Sequence, residues 1–407
     1  MKPMGPIPPD FRGQSVLRIG GRTALEWIEA AGDTPLFVYD GAIVASRIAR
    51  LRAALPAGVD VHYAIKANPF APLLRAIAPL VDGLDVASSG ELRAALGVKP
   101  AAAISFAGPG KRDDELEDAI LAGATLNVES EGEAARALAI GDRTGVTPRL
   151  AVRVNPDFEL RGSGMRMGGR ASPFGVDATR AAALARTIRE AGGDWRGWHI
   201  FAGSQALDIQ AIVDTQAATL ALAVRLAEEA GAAPPLVNLG GGFGIPYFAG
   251  DEPVDVERVG AALGEALASR AAALADSRFA LELGRWLVGE AGVYLTRVVD
   301  RKESRGETFL VVDGGLHHQL AASGNFGTVV RRNYPIAVAD RLNAPGEETV
   351  TVVGCLCTPL DRLADKVALP HAGPGDVIAL FLAGAYGATA SPSAFLGHPP
   401  AREMLAG

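Results

Sequence analysis

A lysine stands at the end of an apolar, alternating run in "VHYAIKANPF", residues 61–70. Apolar residues alternate along this run as they do in a half-buried strand, and Lys66 follows the last of them. A lone lysine in such a position is most often a solvated strand-end residue with a buried stem. The alternative is an amine that loses its proton and attacks a carbonyl group. Other residues of the chain are needed to distinguish the two.

Further residues that can take part in chemistry follow other strand-like runs, and they are His199, Ser204, Gly240, Gly241, Gly242, Glu282 and Arg285. Alone, each has an ordinary explanation; His199, for instance, equally fits a hydrogen-bonded core histidine. Glycines after a strand expose backbone N–H groups that bind phosphate, and a serine hydroxyl adds a donor. With Lys66 the set offers an amine, a phosphate cradle and a carboxylate. Pyridoxal 5'-phosphate (PLP) matches all three, because its aldehyde reacts with amines and its ring nitrogen pairs with an acid.

Strand-like runs alternate with alanine-rich helical patterns through the first two thirds of the chain. The eight runs are 61–67, 83–88, 104–108, 125–130, 150–156, 197–204, 236–242 and 279–286. One helical pattern, residues 214–231, ends in Gly231, a typical helix stop. Doubly wound sheets also alternate, but the count of eight favours a (β/α)8 barrel. The chemically capable residues then lie at the C-terminal strand ends, the active face of that fold.

After residue 290 the pattern changes to β-rich runs with short turns. These runs are 293–303, 308–315, 348–357 and 376–387. We therefore predict a PLP-binding barrel over residues 41–288 and a mostly-β domain built from residues 1–40 and 289–407. The run "PLFVYD", residues 35–40, is expected to belong to the β domain.

Bulk composition excludes several classes of protein. A net charge of −7 without a basic patch argues against nucleic acid as a partner. The proline-rich N-terminal residues lack the apolar stretch of a signal peptide or membrane span, so a cytoplasmic protein is expected. Cys355 and Cys357 are too close in sequence to join distant segments, and the six histidines are scattered, so no disulfide framework or metal site is predicted.

The segment "RGSGMRMGGRASPFG", residues 161–175, is rich in glycine and arginine. It fits a mobile loop near a site and an ordinary surface loop equally well.

Seven motifs in order resemble the fold-type III PLP-dependent decarboxylases, the family of diaminopimelate, ornithine and arginine decarboxylases with an alanine-racemase-like barrel. They are "YAIKAN", "GLDVASSGEL", "HIFAGSQ", "LGGGFG", "ELGR", "GCLCTPLD" and "GAYG". The resemblance implies a catalytic set of Lys66, His199 and Cys357. It implies a cofactor-binding set of Lys66, Asp85, Arg153, His199, Phe201, Ser204, Gly240, Gly241, Gly242, Glu282, Gly284, Arg285 and Tyr386. It implies a substrate-binding set of Arg285, Asp313, Thr358, Asp361, Tyr386 and His398.

The same resemblance implies a homodimer with shared active sites. Lys66, which would hold the cofactor, and Glu282, which would pair with its ring nitrogen, lie in the predicted barrel. Cys357 and Tyr386 lie in the predicted β domain. In the family these groups meet across a subunit boundary.

Departures from the family pattern concern the substrate. Phe201 stands where the family stacks a histidine on the pyridine ring, and Thr358 replaces the acid that follows the catalytic cysteine. Alanines after His318 fill a region where diaminopimelate enzymes carry an arginine, and His398 lies in a tail that lacks the usual asparagine–tyrosine–asparagine segment. This combination resembles a narrower branch, which includes exosortase A system-associated decarboxylases and one acting on a glutamyl group tethered to an acyl carrier protein.

We therefore expect PLP-dependent decarboxylation of the α-carboxylate of an L-amino acid or amino-acyl conjugate, such as a γ-glutamyl group on an acyl carrier protein. The alternatives are a diaminopimelate decarboxylase and a PLP amino-acid racemase, although the Cys357 motif argues against the racemase. A catalytically inactive homologue is disfavoured because Lys66, the glycine loop and Cys357 are all present. Taken singly, Cys357 also fits a small apolar residue, and Tyr386 a packing residue.

Overall fold

The computed structural model describes residues 1–160, 165–166, 168–324 and 332–407. Residues 161–164 and 167 of the glycine- and arginine-rich segment 161–175 therefore lie outside the described residues. The chain divides into two compact units. The barrel unit comprises Arg47–Gly244 and Pro253–Gly284; the β unit comprises Met1–Ser46, Ile245–Glu252 and Arg285–Gly407. Residues 41–46, 245–252 and 285–288, which lie inside the predicted barrel range 41–288, thus cluster with the β unit.

Eight parallel strands form a closed barrel, which confirms the predicted fold class. They are Val59–Ala64, Gly83–Val86, Ile104–Phe106, Thr125–Val128, Arg149–Asn155, Asp194–Ile200, Leu236–Gly241 and Arg278–Leu283. The eighth strand pairs with the first, Leu281 opposite Val61, which closes the ring. Short strands at Met165–Arg166 and Gly203–Ser204 pair with each other, and Val176–Asp177 extends the fifth strand's sheet.

Amphipathic helices connect successive barrel strands. They are Ala71–Ile77, Ser89–Leu96, Asp113–Ala122, Glu131–Thr144, Ala178–Glu190, Ile209–Ala230 and Val256–Ala268, and a further helix, Gly41–Ala54, precedes the first barrel strand. The helix predicted to stop at Gly231 does so, because this glycine adopts a left-handed φ of 65° at the C-cap. It starts at Ile209, five residues earlier than its periodic pattern suggests, because the Asp208 side chain caps it by accepting the Ala211 N–H.

The β unit is a mixed sheet that contains both the N-terminal and the C-terminal parts of the chain. Its strands are Leu36–Asp40, Gly292–Ser304, Glu307–Val312, Ile336–Val338, Glu348–Val353, Arg362–Leu369, Val377–Leu380 and Arg402–Ala406. Leu36–Asp40 pairs antiparallel with Gly292–Ser304 and parallel with Arg402–Ala406, so the expectation for residues 35–40 is confirmed. Helices Ala24–Ala31 and Arg285–Val288 and a small hairpin, Arg18–Ile19 with Arg22–Thr23, complete this unit.

The longest helix, Ile209–Ala230, is 22 residues long. Within the described ranges, neither it nor any other helix combines the length and the apolar character that crossing a membrane requires.

Candidate active site

Lys66 lies in a tight turn directly after the first barrel strand. The strand ends at Ala64, earlier than the predicted run 61–67, and Ile65–Ala67 form a 3-10 turn. The neighbours of Lys66 are buried, whereas its own side chain is exposed. The Tyr63 hydroxyl donates to the Asn68 carbonyl (2.8 Å) and so holds the turn in place. A Cβ at Gly284 would lie 2.9 Å from that of Ala67, so glycine is needed where the eighth strand passes this turn.

Glu282 and His199 form a buried acid–imidazole contact in the barrel. The distance from His199 Nε2 to Glu282 Oε2 is 2.9 Å. Although burial raises the pKa of Glu282, the contact with His199 and the positive charges of His199, Lys66 and Arg153 lower it to about 2. Glu282 is therefore a carboxylate at neutral pH. The effect of Lys66 also shows that its ammonium lies within electrostatic reach of this acid.

A second buried acid–imidazole contact joins His62 and Asp85, with 3.5 Å between Nδ1 and Oδ2. The other oxygen of Asp85 accepts a hydrogen bond from the Ser105 hydroxyl. A Cβ at Gly83 would lie 2.6 Å from the His62 ring, so this glycine makes room for the imidazole. Sequence reasoning named Asp85 but not His62. The available signal was strand alternation, which puts a polar residue between the buried Val61 and Tyr63.

The glycines that end the seventh strand pack against the backbone of the segment after the sixth. Gly240 and Gly242 have φ values of 69° and 75°, in the left-handed region that favours glycine. A Cβ at Gly242 would lie 2.1 Å from the Gly203 carbonyl oxygen, next to Ser204. A Cβ at Gly241 would lie 2.2 Å from the Glu282 carbonyl oxygen. The structure thus brings the predicted phosphate-binding glycines and serine together, and side chains larger than hydrogen cannot be accommodated there.

Phe201 and Arg153 also belong to the barrel unit. Phe201 follows the sixth strand, is half-buried, and lies against Gly240, where a Cβ would be 3.1 Å from its ring. Arg153 Nη1 donates to Glu129 Oε1 at 2.8 Å, and its guanidinium lies 5.2 Å from the centre of the Phe174 ring. Arg153 is therefore held by an acid of the chain and contributes positive charge to the barrel interior.

In the β unit, Arg285 lies among aromatic rings. Its Nη1 donates to the Tyr247 hydroxyl at 2.7 Å, and its guanidinium carbon lies 4.6 Å from the centre of the Tyr386 ring. Arg285 Nε is buried and has no hydrogen-bond partner among the described residues. Such a cation retains donor capacity for an anion. Tyr247 was missed from the sequence because it lies beyond the glycine motif in an irregular segment.

Tyr386 has a φ of 55°, a left-handed conformation that is uncommon for an aromatic residue. Its flanking glycines are required by close packing: a Cβ at Gly384 would lie 1.8 Å from the Val288 carbonyl oxygen, and one at Gly387 would lie 2.5 Å from the Gln319 side chain. A strained backbone held by its surroundings is typical of functional positions.

The segment after strand Glu348–Val353 carries three of the predicted residues. Cys357 is exposed and Thr358 is half-buried, with its hydroxyl oxygen accepting the Leu360 N–H at 3.3 Å. Asp361 is buried and accepts backbone N–H groups of Leu316 and Leu356 at 2.6 and 2.9 Å. Burial raises the pKa of Asp361, although these two hydrogen bonds oppose the change.

Asp313 and His398 are the remaining predicted substrate residues. Asp313 accepts hydrogen bonds from the hydroxyls of Thr34 and Thr296 and from the Arg297 N–H. Its carboxylate is therefore engaged within the β unit, like that of Asp361. His398 is half-buried and its ring nitrogens lie 3.9 and 4.0 Å from the Cys355 sulfur atom.

The barrel residues fit PLP on two observations. Glu282 Oε2 is buried and has no hydrogen-bond partner of acceptable geometry in the described chain, its contact with His199 being close but poorly aligned. An ionised oxygen of this kind suits a protonated pyridine nitrogen. The second observation is the run of three glycines at residues 240–242, where the left-handed φ values of Gly240 and Gly242 give a turned backbone without side chains, the kind of backbone whose N–H groups bind anions.

Comparison with known proteins agrees with this geometry. Residues 42–289 match the family model of the pyridoxal-dependent decarboxylases, pyridoxal binding domain. The chain is 34% identical to an L-glutamyl-[BtrI acyl-carrier protein] decarboxylase from Niallia circulans, covering 92% of this chain and 89% of that one. It is 31% identical to a Staphylococcus aureus 2-[(L-alanin-3-ylcarbamoyl)methyl]-2-hydroxybutanedioate decarboxylase, covering 89% and 92%.

Among solved structures, diaminopimelate decarboxylase from M. jannaschii in complex with L-lysine superposes with a TM-score of 0.87 at 28% identity, covering 97% of this chain and 91% of that one. The predicted resemblance is confirmed over nearly the whole length. The chain belongs to the pyridoxal-dependent decarboxylases of fold type III, and its cofactor is pyridoxal 5'-phosphate.

Proposed function

We propose that this enzyme decarboxylates an L-amino acid whose distal end is covalently conjugated, and specifically a glutamyl group linked through its γ-carboxyl to an acyl carrier protein. The observation that carries the proposal is Thr358, which occupies the position directly after Cys357 where the family's diamino-acid enzymes have an acid. Its hydroxyl oxygen already accepts the Leu360 N–H. A distal ammonium at this position would exchange water for a single hydroxyl, at a cost of about 1–3 kcal/mol.

Nearby acids do not replace the missing one. Asp361, three residues after Thr358, uses both carboxylate oxygens for backbone N–H groups. Asp313 is likewise engaged by hydroxyl and backbone donors. Within the described part of the β unit, these two predicted substrate residues hold their own loops in place. An amide or thioester carries no charge that needs such an acid. The desolvation cost of placing a conjugated substrate in the pocket is therefore much smaller.

The names of two relatives describe substrates of this kind. One acts on a glutamyl group on an acyl carrier protein, and the other on an alanine unit joined to a citrate-like acid through a carbamoyl group. In both, the amino acid is joined to another group, and in the second the link is through its side chain. Their identities to this chain, 34% and 31%, support the same substrate class.

Each predicted residue has a proposed task. Lys66 holds the cofactor through its amine, and the glycine segment 240–242 with Ser204 binds its phosphate, although the Gly240 N–H itself donates to Asn238 Oδ1. When bound, PLP supplies the electron sink that accepts the pair left behind as CO2 departs. Glu282 keeps the pyridine nitrogen protonated, and Arg285, with its spare donors, binds the cofactor phosphate or the substrate carboxylate. Cys357 returns a proton to the α-carbon.

We also propose that the enzyme is a homodimer in which each active site contains residues of both chains. Lys66 and Glu282 belong to the barrel unit, whereas Cys357 and Tyr386 belong to the β unit. The proposal rests on the family resemblance and on the exposure of Cys357, which leaves its thiol accessible to another molecule.

The test is a direct comparison of substrates. Purified enzyme with PLP is incubated with γ-glutamyl carrier protein, free glutamate, lysine, ornithine and meso-diaminopimelate, and loss of CO2 is followed by mass spectrometry. We expect turnover of the tethered glutamyl group and little of the free diamino acids. A kcat/KM for meso-diaminopimelate on the order of 10⁴ M⁻¹s⁻¹ or more, the ordinary range of enzymes, would show a diaminopimelate decarboxylase instead.

A further inference from the structure

Two histidines and a cysteine from three separate segments of the β unit come together. His317 follows strand Glu307–Val312, Cys355 follows strand Glu348–Val353, and His398 lies a short distance before the C-terminal strand Arg402–Ala406. One possible ligand atom of each residue lies within 4.8 Å of the others. Because the three are 38 and 43 residues apart along the chain, no sequence spacing reveals the cluster.

His317 has no ordinary structural explanation. Its side chain is fully buried, and neither ring nitrogen has a hydrogen-bond partner in the described structure. Burying an imidazole in this way is costly unless something satisfies its nitrogens. The adjacent His318 is different, since its Nδ1 contacts the Tyr294 hydroxyl (3.0 Å) and its Nε2 contacts the Pro399 carbonyl (2.9 Å). The nitrogens of His317 lack partners like those of His318, so another group is needed to satisfy them.

The spacing between Cys355 and His398 is close to that of ligands in a tetrahedral metal site. The Cys355 sulfur lies 3.9 and 4.0 Å from the two ring nitrogens of His398. Zinc bonds of about 2.3 Å to sulfur and about 2.0–2.1 Å to nitrogen put tetrahedral ligands roughly 3.6 Å apart. The Cys355–His398 pair is therefore within a few tenths of an ångström of this spacing, and the His317 ligand atom lies within 4.8 Å of both. Cys355 and His398 are only partly buried, which leaves a route for an ion to enter.

His318 packs beside the cluster. Its ring lies 3.7 Å from that of His317, centre to centre, and its contact with the Pro399 carbonyl fixes the residue next to His398.

We propose that His317, Cys355 and His398 bind a divalent cation of the Zn²⁺ type. Nitrogen and sulfur ligands select borderline-soft ions over Mg²⁺ or Ca²⁺, which prefer oxygen. The described residues provide three ligands, which is the pattern of zinc sites that keep a fourth position for an exchangeable oxygen ligand. The inference goes beyond the decarboxylase activity and does not depend on it.

The experiment uses Co²⁺, whose visible ligand-field bands report tetrahedral coordination at wavelengths beyond the absorption of PLP. PLP-loaded enzyme, cleared of metal with a chelator and dialysed, is titrated with Co²⁺, and bound metal is counted by elemental analysis. We expect one equivalent per chain with tetrahedral bands and a sulfur-to-cobalt transition. Cys355→Ser, His317→Ala and His398→Gln should each weaken binding by more than about a hundredfold, because outer partners alone contribute roughly ten- to a hundredfold.

Two controls isolate the site. Cys357→Ser removes the exposed neighbouring thiol, and His371→Gln removes a histidine whose side chain is 67% exposed elsewhere in the β unit. Both should bind Co²⁺ like the original protein. Circular dichroism and PLP content verify that each variant is folded. If His317→Ala does not fold, the near-isosteric Cys355→Ser variant alone tests the proposal. Absence of binding in the original protein, or unchanged affinity and spectrum in Cys355→Ser, overturns the proposal.

Discussion

His199 Nε2 lies 2.9 Å from Glu282 Oε2, and the two residues come from the sixth and eighth barrel strands, on either side of the seventh. The imidazole thus lies against the carboxylate from across the strand that carries the glycines predicted to bind phosphate. Together with nearby positive charge it keeps the pKa of Glu282 low, against the effect of burial.

Replacing this acid should separate cofactor binding from turnover. In Glu282→Gln the glycine segment and Lys66 are intact, so PLP should still bind. Without the charge that keeps the pyridine nitrogen protonated, kcat should fall by at least about a hundredfold, the usual effect of losing a preorganised electrostatic contact. PLP content by absorbance and steady-state kinetics measure the two effects. Glu257→Gln, which removes an exposed acid paired with Arg50, is the control; equal kcat in both variants would remove Glu282 from the mechanism.

Reduction with borohydride should fix the cofactor on Lys66. Peptide mapping by mass spectrometry should find the adduct there, and Lys66→Ala should lose it, whereas Lys302→Ala, at an exposed site in the β unit, should retain it. Lys111 is buried and its ammonium is held by Glu133 at 2.6 Å. An adduct on Lys111 or on any other lysine would contradict the assignment.

The buried His62 should make stability depend on pH. Burial lowers the pKa of His62, but the charge and close contact of Asp85, with the charges of Asp60 and Glu282, raise it above 6.5 overall. Because the folded-state pKa exceeds the unfolded value, this stabilisation is fully present below pH 6.5 and is lost as the pH rises through the folded pKa. Free energies of unfolding in denaturant on both sides of pH 6.5 should show the loss in the original protein and in His371→Gln. His62→Gln should lack it; an unchanged pH slope would contradict the assignment.

Mixing two inactive variants tests the shared active site. Lys66→Ala and Cys357→Ala chains should each be inactive as homodimers. If subunits exchange at random, about a quarter of all sites become intact in mixed dimers, and activity should recover to that extent. Exchange is verified by native mass spectrometry. Inactive mixtures with proven exchange would mean that each site is contained in one chain.

Restoring an acid next to Cys357 should shift specificity. Thr358→Asp supplies a partner for a distal ammonium, and a charged hydrogen bond contributes about 1.5–3 kcal/mol. The ratio of kcat/KM for meso-diaminopimelate over the glutamyl conjugate should therefore rise at least about tenfold. Thr358→Ser, which keeps a hydroxyl, should leave the ratio close to its original value. No change in Thr358→Asp would show that residue 358 does not contact the distal end of the substrate.

Much of the fold was predictable because local patterns carry it. Eight apolar runs separated by helical periodicity predicted the barrel strands to within a few residues, and Gly231 predicted a helix end. The turn that holds Lys66 was not predicted, because nothing in "YAIKAN" distinguishes a final strand residue from a 3-10 turn. Strands Arg362–Leu369 and Arg402–Ala406 were missed for a related reason. Charged residues within these strands weaken the apolar alternation, and the strands form because they pair with neighbouring strands.

The site was predictable only where motifs carry it. Lys66, Glu282 and the glycines lie in short motifs, and strand order brings the last two into contact through the backbone. His62, Tyr247 and the cluster of His317, Cys355 and His398 depend on contacts between segments distant in sequence, which no local pattern encodes. The engagement of Asp313 and Asp361 by backbone and hydroxyl donors was equally invisible, because the partners come from other loops.

The pairing of Leu36–Asp40 with both Gly292–Ser304 and Arg402–Ala406 has a consequence for biosynthesis. A ribosome makes the first of these strands some 250 residues before the second and more than 360 before the third. Until then its two edges have no partner, and exposed edges invite pairing with other chains. The barrel unit, which ends at Gly284, is complete before the sheet acquires either neighbour, so domain-wise folding on the ribosome should proceed from barrel to sheet. Early termination at residue 400 would leave a finished barrel attached to a sheet that is open at the edge of its first strand.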